Sequence, residues 1–411
     1  MWNTLLDRML RRLIRIGDLQ VVMPDGRSRR YGDGNGPPVK LQIHSADLAR
    51  KILQNAELAV GEAYVDGTLT IENDDLYGFL TIGTKNLGRS DAGIWWRRPM
   101  ARLRIAFRRL QQYNPVGKAQ ANVAHHYDLS GEFYDLFLDE DKQYSCAYFR
   151  NPDDTLEQAQ ANKKMHIADK LLIEPGMRVL DIGCGWGGMA LTLARDYGAR
   201  VVGVTLSKEQ HAVATRRAAE AGLSDKVEFR LMDYRHVTET FDRIVSVGMF
   251  EHVGVPHYRE YFNHLHRMLA PEGVALIHTI GRSSPPGITS PWILKYIFPG
   301  GYVPAMSEAM SAIECEDMTT TDIEVWRLHY AETIKHWLDR FNANIDAARA
   351  LYDDRFCRMW RYYLTASELT FRHSHQVVFQ FQLAHKQDAV PLTRDYLYPP
   401  QRNVQFHRAA E

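Results

Sequence analysis

The amino-acid sequence predicts an α/β fold, in which a doubly wound, mostly parallel sheet follows a smaller α+β N-terminal domain. Three observations predict it. Short β-branched or apolar runs recur at 179–182, 199–204, 227–231, 241–247 and 273–278. Helical patterns separate them at 188–197, 208–220 and 258–269, and strands that alternate with helices are typical of a parallel sheet. The N-terminal part instead shows two helical patterns and one short strand.

Glycines and polar residues stand where these runs end. Gly183, Thr205, Asp233, Glu251 and His278 each lie at or just beyond the carboxyl end of one run. In open α/β sheets, ligands bind at this edge. We therefore expect the ligand-binding groups of the protein to be gathered there.

The first run leads into Asp181 and a turn that holds Gly183, Cys184, Gly185 and Gly187. Glycines allow the backbone to approach a ligand without an intervening Cβ. The spacing does not fit the dinucleotide pattern G-x-G-x-x-G, because another glycine follows at once at position 188. It resembles instead the D-x-G-x-G-x-G loop of S-adenosylmethionine (SAM)-dependent methyltransferases. Taken alone, such a loop could equally be only a turn.

Composition sets limits on the class of protein. The chain has 411 residues, enough for two or three domains, with 45% hydrophobic and 24% charged residues. Zero net charge argues against a general nucleic-acid binder. The four cysteines form no C-x-x-C pair, so neither a metal site nor a disulfide framework is predicted, and a reducing, cytoplasmic setting fits best. The sequence has no apolar run of membrane-spanning length and no good signal peptide.

Residues 1–22 form a candidate amphipathic helix, in which apolar residues from Trp2 to Ile16 recur at helical spacing among four arginines. Such a helix could lie on an anionic bilayer or pack on its own domain, and the sequence favours neither. A loop is predicted at 24–38, a helix at 45–67 and a strand at 68–72.

The segment 89–118 carries eight basic residues and a single acid, interleaved with aromatic and aliphatic side chains. This composition suits a phospholipid headgroup interface, although a solvated connector is an equally good interpretation and nucleic acid a weaker one. The Pro115-Val116-Gly117 turn marks the predicted domain boundary. We expect an accessory domain with its basic linker at 1–115 and a catalytic domain at 116–411.

Several motifs together are more specific than any one of them. They occupy positions 126–130 (HYDLS), 144–149 (YSCAYF), 183–187 (GCGWG), 203–210 (GVTLSKEQ), 248–254 (GMFEHVG), 276–281 (LIHTIG) and 298–302 (FPGGY). With these motifs the chain resembles the cyclopropane-fatty-acyl-phospholipid synthases and the related mycolic acid cyclopropane synthases over residues 121–385, and more loosely before them. The resemblance implies a class I SAM-dependent methyltransferase fold, which is Rossmann-like.

The resemblance also implies which residues contact SAM. They are Tyr144, Ser145, Asp181, Gly183, Cys184, Gly185, Gly187, Thr205, Leu206, Ser207, Gln210, Met232 and Asp233. Many methyltransferases carry an acid after the second strand to bind the ribose. Here that place is taken by Thr205, a departure that the cyclopropane synthases share.

The implied reaction is methylene transfer from SAM to the cis double bond of an unsaturated acyl chain. Attack of the alkene on the sulfonium methyl leaves a carbocation, which must be shielded from water and must lose a proton to a base. In the family the base is a bound bicarbonate ion, and by resemblance Cys146, Glu251, His278, Tyr330 and the backbone of Ile280 hold it. On their own, Cys146 and His278 could equally be buried core residues.

The resemblance further implies a phospholipid substrate at the membrane surface, peripheral association with the inner face of the membrane, and a homodimer formed through the N-terminal domain. Two alternatives stay open. A methyltransferase of the same fold could leave a methyl or methylene branch by deprotonating the same cation elsewhere, and a catalytically inactive fold could serve as a membrane-binding scaffold.

Overall fold

A computed structural model describes residues 1–87 and 129–398. The first range forms a four-stranded sheet with three helices. Its elements are α1 (Trp2–Leu13), β1 (Asp18–Val22), β2 (Ser28–Tyr31), β3 (Pro38–Ile43), α2 (Leu48–Val65), β4 (Leu69–Ile71) and α3 (Leu76–Leu87). The strand order is β2-β1-β3-β4, in which β1 and β3 are parallel. The predicted helix at 45–67 and strand at 68–72 are confirmed. The basic segment 89–118 and the predicted boundary at 115–117 lie outside the described residues.

Two predictions for the N-terminal domain are wrong. The helix predicted over 1–22 ends at Leu13, because Gly17 takes a positive φ of 99° and the chain then enters β1. The predicted loop at 24–38 contains β2. This strand is rich in charged residues, which a sequence pattern does not associate with a strand. Two of them have acidic partners in the same domain: Arg29 donates to Asp7 of α1 at 2.6 Å, and Arg30 pairs with the buried Asp18 of β1.

The second range forms the larger domain. Its helices are α4 (Gly131–Asp135), α5 (Leu156–Leu171), α6 (Gly188–Asp196), α7 (Lys208–Glu220), α8 (Tyr258–Met268), α9 (Pro291–Tyr296), α10 (Met306–Cys315), α11 (His329–Ala343), α12 (Ile345–Leu351) and α13 (Asp354–His373). Its strands are β5 (Arg178–Ile182), β6 (Arg200–Thr205), β7 (Val227–Leu231), β8 (Phe241–Val247), β9 (Leu269–Arg282), β10 (Thr319–Trp326) and β11 (Gln376–Ala384).

These strands form one seven-stranded sheet in the order β10-β11-β9-β8-β5-β6-β7. Strands β5 to β9 are parallel, whereas β11 runs antiparallel to both of its neighbours. The predicted doubly wound, mostly parallel sheet is therefore confirmed, although the sequence did not predict β10 and β11. The run predicted at 273–278 belongs to a longer strand, β9, which begins at Leu269 and ends at Arg282. His278 consequently stands within a strand and not at its end.

Successive residues of β5 face opposite layers of helices. Val179 packs in a core cluster with Leu193 of α6, while Leu180 packs in another with Phe262 of α8. All four side chains are completely buried. This alternation places helices on both faces of the sheet, so that only the ends of the strands remain accessible to a ligand.

The N-terminal domain packs on α13 and α9 of the larger domain through α2 and α3. Arg358 of α13 donates to the carbonyl of Val65 at 2.8 Å, and Arg355 pairs with Asp66 at 2.9 Å. At its other side this domain carries α1, whose Leu6 is buried while Trp2 and Leu5 are exposed. Among the described helices, none has the length and apolar character needed to cross a bilayer.

Candidate active site

A cavity opens at the carboxyl ends of β5, β6, β7 and β8. Seven of the residues predicted to contact a cofactor line it: Gly183, Gly185, Thr205, Leu206, Gln210, Met232 and Asp233. Its other walls come mainly from the residues that follow β8, including Met249, His252 and Val253, and from Pro299 and Gly300. The sheet therefore gathers segments far apart in sequence at the edge where the parallel topology predicts a ligand.

The backbone conformation of the glycine-rich loop is one that glycine adopts readily and other residues rarely adopt. Gly183 and Gly185 have φ values of 80° and 55°, a region that residues with a Cβ rarely adopt. The backbone N–H of Gly183 donates to the carbonyl of Val204 at 2.9 Å, which fastens the loop to β6. A Cβ added at Gly185 would have no atom within 4 Å, because it would enter the open cavity. The loop thus leaves a space that a side chain would fill.

The polar side chains after β6 form a linked set. Thr205 donates through Oγ1 to Oε1 of Gln210 at 3.0 Å, and Thr205 Oγ1 accepts from the backbone N–H of Ser207 at 3.2 Å. Ser207 itself caps α7 by accepting from the backbone N–H of Gln210. Thr205 and Gln210 therefore present uncharged hydrogen-bonding groups to the cavity, while Ser207 shapes the turn behind them.

Asp233 is held by a bidentate contact with Arg235. Arg235 donates from Nε to Oδ1 at 2.9 Å and from Nη2 to Oδ2 at 2.7 Å, and both residues line the cavity. Burial alone would raise the pKa of the Asp233 carboxyl. Hydrogen bonds from Arg235 and its charge overcome that effect, so the net shift of the pKa is downward. The cavity wall therefore carries an ionised, oriented carboxylate.

Glu251 lies in a single turn after β8, beside the cavity. Its Oε1 accepts a hydrogen bond of 2.6 Å from the backbone N–H of Ile280 on β9. Its Oε2 is buried and has no hydrogen-bond partner among the described residues. Burial raises the pKa of Glu251 to about 7. The group can therefore accept or retain a proton near neutral pH.

His278 lies on β9, two residues before Ile280, and is almost fully buried. The amide nitrogen of Gln380 on β11 is 3.1 Å from its Nδ1. An amide nitrogen donates, so Nδ1 accepts and Nε2 carries the ring proton. Burial, aided by the positive charges of Lys163 and Lys170, holds the pKa of His278 well below its usual value. The imidazole is therefore neutral and has one N–H to donate.

Cys146 and Tyr330 are both buried, and neither lines the cavity. Burial raises the pKa of the Cys146 thiol far above its ordinary value, so the group is a neutral S–H and not a thiolate. Tyr330, on α11, packs its ring against Phe371 with 4.8 Å between ring centroids. Tyr144, two residues before Cys146, contacts the hydroxyl of Tyr363 at 3.0 Å.

Comparison with known proteins assigns the larger domain. The family model described as mycolic acid cyclopropane synthetase matches residues 116–381, and a domain of unknown function matches residues 5–78. The chain belongs to the mycolic acid cyclopropane synthetase family.

Two curated relatives and one solved structure illustrate the range of this family. Cyclopropane-fatty-acyl-phospholipid synthase of Escherichia coli (strain K12) is 39% identical over 82% of this chain and 85% of its own length. Tuberculostearic acid methyltransferase of Mycobacterium tuberculosis is 35% identical over 92% and 90%. The crystal structure of a mycolic acid cyclopropane synthase complexed with SAH and CTAB matches 66% of this chain and 99% of its own, with a TM-score of 0.62 and 35% identity.

As a member of the mycolic acid cyclopropane synthetase family, the protein is a SAM-dependent methyltransferase that modifies fatty acyl chains. The fit of SAM to the cavity can be judged from its lining. The glycine loop leaves room for a ligand, Thr205 and Gln210 offer neutral hydrogen bonds, and Asp233 offers an oriented carboxylate. These groups match the mixed polar and cationic character of SAM.

Six of the residues predicted to contact SAM do not line the cavity. Gly187 is packed tightly, since a Cβ there would lie 2.7 Å from the ring of Phe229. Cys184 is buried, Ser207 caps α7, and Tyr144 and Ser145 lie on the segment that leads to Cys146. Asp181 is buried within β5, where burial raises its pKa to about 7. Its Oδ2 has no partner among the described residues.

Three residues of the site were not predicted from the sequence. Arg235 and His252 line the cavity, and Lys163 is buried behind Ser145 and Cys146. His252 falls inside the motif at 248–254, and Arg235 lies two residues after Asp233, which is a predicted cofactor contact. The signal available for each was therefore its nearness to a motif or to a predicted contact. Lys163 belongs to a charged stretch of a helix, which in sequence is indistinguishable from a solvated face.

Proposed function

We propose that the protein transfers a methylene group from SAM to the cis double bond of an unsaturated acyl chain in a membrane phospholipid, forming a cyclopropane ring with bicarbonate as the base. The observation that carries the proposal is the hydrogen bond between Glu251, which adjoins the cavity-lining His252, and Ile280, which follows His278 by two residues on β9. The E. coli relative named cyclopropane-fatty-acyl-phospholipid synthase, aligned over most of both chains, supports it.

SAM supplies an electrophilic methyl group. The residues of the chain bind and orient it: Gly183 and Gly185 admit its close approach, and Thr205, Gln210 and Asp233 provide acceptors and donors along the cavity wall. Buried aromatic rings close the site against water. Tyr144 stacks on Trp337 with 5.1 Å between centroids, and such faces tolerate the transient positive charge that develops on the acyl chain.

Bicarbonate supplies a proton acceptor. The donor set present here fits such an anion, because the Nε2–H of His278 can donate to an oxygen, and the neutral thiol of Cys146, which donates to the carbonyl of Ala147 at 3.3 Å, can donate to an anion in its place. The buried Oε2 of Glu251, without a partner among the described residues, can accept the hydrogen of the anion. The Ile280 N–H already donates to Glu251, so its part is to orient that carboxyl.

The N-terminal domain suits a role at the membrane surface. The exposed Trp2 and Leu5 project from α1 beside Arg8 and Arg12, which gives this face both apolar and basic character. We include in the proposal reversible docking on anionic bilayers, and dimerisation through the N-terminal domain.

The test is incubation of the purified protein with SAM and vesicles of unsaturated phosphatidylethanolamine and phosphatidylglycerol, followed by mass spectrometry of the fatty acids. We expect the gain of one CH2 per modified chain, with fragmentation that identifies a ring at the former double bond. A saturated methyl-branched or a methylene-branched product would identify the protein instead as a fatty-acid C-methyltransferase. No modification despite SAM binding would contradict both activities.

A further inference from the structure

Lys163 of α5 is completely buried behind the segment that carries Ser145 and Cys146. Its Nζ donates to Oε1 of Gln143 at 2.7 Å and to Oγ of Ser145 at 2.9 Å. Both partners are neutral. Removing an ammonium group from water costs several kcal/mol, which hydrogen bonds to neutral groups offset only in part.

The neighbouring lysines of α5 are partnered differently. Lys164 forms an ion pair with Asp141, and Lys170 forms one with Glu324 at 2.5 Å. Among the described residues, no carboxylate forms an ion pair with Lys163. Direct carboxylate contacts therefore neutralise Lys164 and Lys170 but not Lys163, whose pKa burial lowers to about 8 while the charge of Asp139 acts against that shift.

The charge of Lys163 acts on both halves of the site. Burial raises the pKa values of Asp181 and Cys146, and the Lys163 charge acts against both shifts. Burial lowers the pKa of His278, and the Lys163 charge lowers it further. The hydrogen bond to Ser145 places the ammonium group next to the residue before Cys146, and its charge favours the ionised form of Asp181 and the neutral form of His278.

We infer that Lys163 is a positioning residue that supplies the positive charge for the anion site of Cys146 and His278, and that holds the Ser145 side chain beside it. The inference rests on the proposed function, in which a bicarbonate ion binds there. An anion next to the Glu251 carboxyl would otherwise meet only neutral donors and a group that can itself become negative. A nearby buried cation makes the occupied site electrically balanced.

The test measures binding of bicarbonate as well as turnover. The melting temperature and the SAM-dependent methylene transfer would be followed in CO2-depleted buffer as sodium bicarbonate replaces sodium chloride at constant ionic strength. A ligand that binds only the folded state raises its stability. We expect bicarbonate to raise the melting temperature of the wild-type protein and to stimulate its turnover.

Lys163→Met should lose the bicarbonate-dependent rise in melting temperature, and its half-saturating bicarbonate concentration should increase at least about tenfold, equivalent to 1.4 kcal/mol. The matched control is Lys164→Met, which removes the adjacent, ion-paired lysine and should retain the wild-type response. Lys163→Gln keeps a donor for Gln143 and Ser145 while removing the charge, so it serves if the Met variant does not fold.

The outcomes separate the two proposals. If the wild-type protein forms the cyclopropane product but responds to bicarbonate in neither measurement, the assignment of bicarbonate as the base is wrong, and the role inferred for Lys163 is overturned with it. If the wild-type protein responds and the folded Lys163 variants respond equally, the proposed function stands and only the inference about Lys163 is overturned.

Discussion

The backbone N–H of Ile280 donates a 2.6 Å hydrogen bond to Oε1 of Glu251, which joins the turn after β8 to the neighbouring strand β9. The bond fixes one carboxylate oxygen and leaves the other directed into a buried space without a partner among the described residues. The position of the Glu251 side chain therefore depends on Ile280, whereas its charge depends on the carboxyl group. Substitutions can test the two separately.

Glu251→Gln should preserve the position of the side chain, because an amide oxygen can still accept from Ile280, but it removes the titratable group. Loss of one acid–base element typically lowers rate by about 10²–10⁴-fold. We expect turnover to fall by this amount while the dissociation constant for SAM, measured by calorimetry, changes little. Turnover near that of the wild type would contradict the assigned role.

The pKa of Glu251 also predicts how stability depends on pH. A carboxyl whose pKa rises from 4.5 when unfolded to about 7 when folded binds more protons in the folded state between these values, so it lowers stability as pH rises through that window. Glu251→Gln lacks this penalty, which amounts to as much as about 3 kcal/mol above pH 7. Thermal unfolding should therefore show the variant gaining stability relative to the wild type from pH 4.5 to 7. If the stabilities of the two proteins changed with pH in parallel, the pKa of Glu251 would not be raised in the folded state.

Gly185→Val should weaken SAM binding, because its side chain would enter the cavity from a backbone that also disfavours a Cβ. We expect a loss of affinity of about tenfold or more by calorimetry. Gly176→Val is the matched control, since Gly176 has a φ of 86° and open space around it but does not line the cavity. Equal SAM affinities in the two folded variants would exclude the loop as a contact.

Gly61→Val should disturb the packing of the N-terminal domain on the larger one. A Cβ on Gly61 of α2 would lie 2.5 Å from Nε1 of the buried Trp292 on α9. Overpacking of this kind costs about 1–3 kcal/mol, and we expect a lower melting temperature and faster proteolysis between the domains. Gly83→Val in α3, where a Cβ meets no atom within 4 Å, should have a small effect. Similar melting temperatures and proteolysis rates for the two variants would argue against close packing of α2 on α9.

Leu5→Ser combined with Trp2→Ser should weaken cosedimentation with anionic vesicles, because both side chains project from α1 into solvent. Binding should also decrease as salt increases, since Debye screening shortens the reach of the arginines. Leu392→Ser removes a still more exposed leucine elsewhere on the surface and should leave vesicle binding unchanged. Unaltered binding by the α1 variant would place the docking surface in another part of the chain.

The sequence predicted the strands whose residue pattern depends only on which side chains are buried. Strands β5, β6 and β8 consist mostly of β-branched or apolar residues, as buried parallel strands require, while β7 at the edge of the sheet alternates apolar and charged residues. Strand β11 was missed because Gln380 and Gln382 interrupt its apolar pattern. Both are completely buried, and their partners, His278 and the carbonyl of Lys170, come from distant segments that no local pattern reveals.

The candidate site was predictable to the extent that its residues stand in motifs or at strand ends. Glu251 and His278 fulfil this condition, and their contacts with Ile280 and Gln380 could then be found only in the structure. Lys163 fulfils neither condition. A lysine in a charged helical stretch is usually solvated, and only the packing of α5 under the Ser145 segment shows that this one is buried.

The placement of β11 between β9 and β10 has a consequence for synthesis of the enzyme on the ribosome. The cavity-lining residues extend no further than Gly300, so a nascent chain can contain the whole cofactor cavity while β9 still lacks its antiparallel partner. Until residues 376–384 emerge, His278 has no Gln380 and β9 presents an open edge, a form of strand that readily pairs with other chains. Premature release before this strand would therefore yield an aggregation-prone product in which His278 lacks its hydrogen-bond partner.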